Sequence, residues 1–116
     1  MTNPMKGEIE IELGGNTYNC RLTIDSLIKI ETALGVGILK TAQRMAEGDV
    51  NISDVVNILT PALRGGGNDL TQKEVMKIIS DAGIVRSTVV AAELLASTIS
   101  DNPVGEEEAK KQEVET

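Results

Sequence analysis

Aromatic residues are almost missing from this chain. Of its 116 residues one is Tyr (Tyr18), and there is no Trp or Phe. Any core must therefore be aliphatic, built from Ile, Leu, Val, Ala and four Met. Histidine is absent too, which removes the commonest general base and metal ligand. The single cysteine, Cys20, excludes an internal disulfide and a cysteine-based zinc site. Positive charge is scarce: 11 Lys and Arg face 18 Asp and Glu, for a net charge of −7. That balance argues against electrostatic binding to nucleic acid or to anionic lipid. No apolar run approaches the roughly 20 residues of a membrane span. Met1 to Lys6 has no apolar h-region of the kind a signal peptide carries. The expectation is a small, soluble, non-enzymatic domain in the cytoplasm, with no cofactor and no bound metal.

What is present suits one folded domain. Hydrophobic residues make up 41% and charged residues 25%, a globular balance. A chain of this length buries enough surface for one core without metals or disulfides. The charge is uneven. Asp101 to Thr116 holds six acids against Lys110 and Lys111, a net −4 that leaves −3 for the first hundred residues. With Val as its only strong apolar residue, that stretch cannot repay the entropy of ordering. Residues 1–100 are therefore read as the domain and 101–116 as a disordered acidic tail.

The start alternates with a period of two. Ile9, Ile11 and Leu13 interleave with Glu8, Glu10 and Glu12; after Gly14-Gly15-Asn16, Tyr18, Cys20, Leu22 and Ile24 interleave with polar residues. This predicts a β-hairpin with one apolar face, which must pack on helices because a lone hairpin is marginal in water. The three Glu read as a solvated face, since they would repel one another at close spacing. The exposed edge of the Ile9 to Leu13 strand is a candidate for self-association.

The remainder has helical spacing punctuated by glycine. A first helix over Asp25 to Leu34, capped by Asp25 and closed by Gly35, carries Leu27, Ile30, Glu31 and Leu34 on one stripe. A second runs from about Gly37 to Glu47. A third starts near Ser53 with Val55, Val56, Leu59 and Leu63 facing inward, and Pro61 either kinks it or begins a fresh turn. Thr71 and Glu74 fit a capping box, with Leu70 and Val75 as its hydrophobic staple, so a fourth helix runs to about Ala82 before Gly83. The last helix shows Val85, Val89, Ala92, Leu95, Ala96 and Ile99 on one face, taken as its core face, and ends near Ser100. The fold class is α+β, mainly α: an N-terminal hairpin packed on about five short helices.

No catalytic constellation emerges. Gly65-Gly66-Gly67 is followed by Asn68-Asp69 instead of the Lys-Ser/Thr of a phosphate loop, and Asp69 would repel phosphate. Gly35-Val36-Gly37 follows a helix and not a strand, so it is no dinucleotide fingerprint. Cys20 falls on the apolar face of a strand and reads as an inert buried thiol. Glu31 reads as a boundary residue with its head in solvent. The glycine run is a flexible break that a partner can reorder. With the adjacent cation it gives the candidate partner-binding residues Arg64, Gly65, Gly66 and Gly67.

The order of segments resembles a known family. N-P-x-x-G-E-I-E-I-E-L-G-G-N-T-Y at Asn3 to Tyr18 and R-L-T-I-D-S-L-I-K-I-E-T-A-L-G at Arg21 to Gly35 are similar to the opening of the gene transfer agent family of small phage tail proteins. A-L-R-G-G-G at Ala62 to Gly67, D-L-T-x-x-E-V at Asp69 to Val75 and A-A-E-L-L-A at Ala91 to Ala96 continue the likeness, which covers about residues 3 to 99. This family is similar to tail assembly chaperones, and it is also described as a tail tube protein. The resemblance implies a non-enzymatic chaperone that binds the tape measure protein and helps recruit tail tube protein, with homo-oligomers possible. The alternative it implies is a structural tail tube or tail-completion subunit. No catalytic residues carry over.

Overall fold

A computed structural model describes residues 7–101. The elements run β1 (Glu8–Leu13), β2 (Asn16–Arg21), α1 (Ile24–Leu34), α2 (Ile38–Ala46), α3 (Ile52–Gly65), α4 (Gln72–Ala82) and α5 (Ile84–Asp101). Of the described residues 66% are helical and 13% are in strands, the α+β class expected. The acidic tail at 102–116 lies outside the described residues.

β1 and β2 form an antiparallel two-stranded sheet in which Ile9 faces Cys20 and Ile11 faces Tyr18. Gly14 and Gly15 form the turn, both with positive φ (58° and 83°), as a two-residue hairpin loop with right-handed strand twist requires. Alternation does what its period demands. Ile11, Leu13 and Cys20 are buried while Glu10 and Glu12 are exposed. The strand pattern overshoots at its end, however. β2 stops at Arg21, and Ile24 opens α1 with its side chain exposed. Thr23, and not Asp25, caps that helix, its hydroxyl accepting from Ser26 N at 3.1 Å. A Thr one residue before the helix has the extended backbone a cap needs, so the cap falls there.

α3 is the central element, touching β2, α1, α4 and α5. Seven of its residues are buried, Val55, Val56, Ile58, Leu59, Thr60, Ala62 and Leu63, and it runs unbroken through Pro61. Its start is set by Asp54, whose Oδ2 accepts from Asn51 N at 3.0 Å. The Thr71–Glu74 box is present in α4: Glu74 N donates to Thr71 Oγ1 at 3.1 Å and Thr71 N to Glu74 Oε1 at 2.9 Å. The Thr71 amide donating to the carboxylate, aided by the Thr71 hydroxyl, holds the Glu74 carboxyl below its ordinary pKa. Gly35 closes α1 in the left-handed region, φ 76°.

α5 departs from expectation. Its buried face is Ser87, Val90, Ala91, Leu94 and Leu95, whereas Val85 and Val89, expected in the core, are exposed. The helix is apolar on two sides, and the sheet and α3 take the other one. Periodicity alone cannot choose between two apolar stripes.

Candidate functional site

The glycine stretch is a packed joint and not a free loop. Gly65 is the last residue of α3 and Gly66 its C-cap, and both lie flat against the backbone of β2. A Cβ on Gly65 would overlap the carbonyl oxygen of Arg21; one on Gly66 would overlap that of Asn19 and come within 2.7 Å of Cys20 N. Only hydrogen in place of a side chain lets helix end and strand approach this closely. Asn68 then fastens the joint, its Nδ2 donating to Asn19 O at 2.8 Å and to Leu63 O at 3.0 Å. Gly67, with φ 97°, faces open space. The expected reordering would have to undo this packing.

Arg64 carries the one side chain of the stretch, and it is exposed. Its Nε donates to Leu70 O at 2.8 Å, and among the described residues it makes no ion pair. Together with Gly65 it borders a polar cleft of about 530 Å³ between α1 and α3, whose lining includes Thr23, Ser26, Lys29, Asn57, Thr60, Pro61 and Gln72. Pro61 has no amide hydrogen to give to Asn57 O. Thr60 Oγ1 is buried and lacks a partner among the described residues, whereas Thr41, Ser87 and Thr98 each bond the carbonyl four residues back. The middle of α3 is thus its least satisfied part, and it faces this cleft.

A second concave surface was not foreseen from sequence. The end of α2 and the first turns of α5 enclose an apolar groove of about 650 Å³. Met45, Val50, Ile84, Val85, Val89 and Ala92 line it, with Glu47 and Glu93 as its charged members. The signal was in the sequence as the Val85–Val89–Ala92 stripe, read as core.

The remaining candidates have structural roles. Burial pushes the Cys20 thiol up to about 12, the opposite of an activated nucleophile. Glu31 caps a helix that is not its own. Its Oε2 accepts from Ile38 N at 2.8 Å, at the start of α2, where the N-cap residue Gly37 has no side chain to offer. The edge of β1 lies beside α5, and Arg86 Nη2 donates to Glu12 O at 3.4 Å, so that edge is partly engaged within the chain. Among the described residues no group of three or more His, Cys, Asp or Glu converges on a common point, and no single helix is long and apolar enough to cross a membrane.

Neither the curated proteins nor the solved structures contain a match to this chain. A family model does match, over residues 6–101, which takes in every element described above, and it is described as phage tail tube protein, GTA-gp10. The chain belongs to this gene transfer agent family of phage tail proteins.

Proposed function

We propose that the chain is a tail tube subunit, or a tube-associated subunit, of a phage-like particle, acting through protein contacts and without catalysis. The family description over residues 6–101 carries this reading. The chemistry of the residues supports it, since the one thiol is buried with its pKa raised and the sequence has no His. Arg64 is the member of the glycine stretch that we assign to partner contact, with Gly65 and Gly66 shaping the joint behind it.

One observation favours a second role, that of assembly chaperone for the tape measure protein. The sheet formed by the described residues has two strands. Closing a tube wall through sheets takes more strands than one hairpin supplies, unless neighbouring subunits add theirs. A mainly helical subunit with an apolar groove that the described residues leave open suits transient binding better. In either role the chain meets its partners in the bacterial cytoplasm during assembly.

One experiment separates the two. Purified particles are analysed by quantitative mass spectrometry, and the chain is co-expressed with the tape measure protein of the same particle. Many copies per particle support the tube subunit. Absence from particles, together with soluble recovery of the tape measure protein only when this chain is present, supports the chaperone. Absence from particles with no effect on that protein overturns both.

A further inference from the structure

The first turns of α5 present an apolar stripe that the described residues leave partly open. Ile84 is 52% exposed, Val85 79% and Val89 43%. Val85 and Val89 sit one helical turn apart on the face away from the buried Val90 and Leu94, and Ile84 lies beside them at the helix start. A helix apolar on both sides belongs in an interior. Here one side is in the interior of the domain and the other is not, and isolated exposed apolar residues do not ordinarily fall in register along a groove.

We infer that the groove between the end of α2 and the start of α5 docks a cationic amphipathic helix from a partner protein. The inference rests on the reading of the chain as a contact-based tail subunit and adds the chemistry of what it contacts. The stripe from Ile84 to Ala92 spans about 12 Å at 1.5 Å per residue, room for side chains at i, i+3 or i+4, and i+7 of a facing helix. Charge decides the occupant. Among the described residues Glu47 and Glu93 line the groove, no basic residue does, and neither Glu belongs to an ion pair. A second copy laid symmetrically on this face would bring those carboxylates together, and each chain carries −7 overall. The six-acid stretch Asp101 to Thr116 is repelled for the same reason. A helix with Leu- or Val-type residues on one face and Lys or Arg along its flanks satisfies the floor and the rim together.

The test uses the full chain and two synthetic helical peptides of about 18 residues, roughly 27 Å long, identical on their Leu face and flanked by Lys in one and Glu in the other. Binding is measured by fluorescence anisotropy at physiological salt, with methyl NMR of Val85 and Val89. The Lys-flanked peptide is expected to bind at least about tenfold tighter and to shift those methyls. The double variant Val85→Ser/Val89→Ser should weaken binding at least about tenfold with an unchanged melting temperature, because both side chains are exposed. Glu47→Lys/Glu93→Lys should reverse the preference between the peptides. Binding that ignores the Ser variant is non-specific attraction to an acidic protein and overturns the inference. So do methyl contacts from Val85 and Val89 to a second copy or to residues 1–6 of the chain. A chain abundant in particles but blind to both peptides sinks the groove assignment and leaves the tail role standing.

Discussion

Replacing Gly66 by Ala is the most incisive perturbation of this fold. The backbone of Gly66 is unremarkable, φ −87° and ψ 4°, so Ala is not penalised by its own dihedrals. The penalty comes from across the joint. The new Cβ overlaps Asn19 O and lies 2.7 Å from Cys20 N, and both are strand backbone that cannot swing aside as a side chain would. Relief requires the end of α3 to lift off β2. That displaces buried Leu63 and Cys20 and stretches the Asn68 bonds to Asn19 O and Leu63 O. Overpacking of this kind costs about 1–3 kcal/mol, and loss of one of the two Asn68 bonds adds about 1 kcal/mol. A total near 3 kcal/mol is a large fraction of the roughly 5–15 kcal/mol that holds a domain folded. For a domain of this size it lowers the melting temperature by about 12–24 °C. Circular dichroism at 222 nm during heating and in urea reads it directly. Gly67→Ala is the control: it has open space around its Cβ but φ of 97°, so it should cost only about 1–2 kcal/mol. If Gly66→Ala melted within a few degrees of the parent, or if Gly67→Ala were the more damaging, the close-approach reasoning would be wrong.

Four further predictions concern the helix caps and the buried thiol. Thr71→Ala removes half of the α4 capping box and should destabilise the domain by about 1 kcal/mol in urea titrations. The Glu74 half is ionic and its folded-state pKa is depressed, so its contribution is present above the ordinary carboxylate range and is lost as pH falls through the folded value; an NMR titration placing Glu74 at or above an ordinary Glu would refute this. Cys20, with its thiol pushed up to about 12, should resist a disulfide reagent at pH 8 until denaturant opens the domain, and stability should fall as pH rises from the ordinary thiol range toward 12, where only the unfolded chain ionises. Glu31→Ala deprives Ile38 N of its acceptor at the start of α2 and should cost about 1 kcal/mol, read as a lower melting midpoint, while Glu31→Gln, which keeps an oxygen acceptor, should cost less.

Local rules written in adjacent residues determined much of this protein without help. The alternation of Glu8 to Leu13 set the hairpin and its inward face; Thr71 with Glu74 set the start of α4, and Gly35 the end of α1. Each depends on interactions within a few residues, which is why sequence spacing suffices. The absence of His and the single Cys likewise narrowed the chemistry before any fold was known. Tertiary structure alone decided three matters. It turned Gly65 and Gly66 from an expected flexible break into a contact with β2, because their role depends on a strand more than forty residues away. It gave Glu31 to the amide of Ile38, on a helix its own spacing does not reach. It also chose between the two apolar stripes of α5, burying Val90, Ala91 and Leu94 and leaving Val85 and Val89 to a groove. A helix has the same period whichever side is buried. Only the shape of what packs against it selects the face, and that information is non-local.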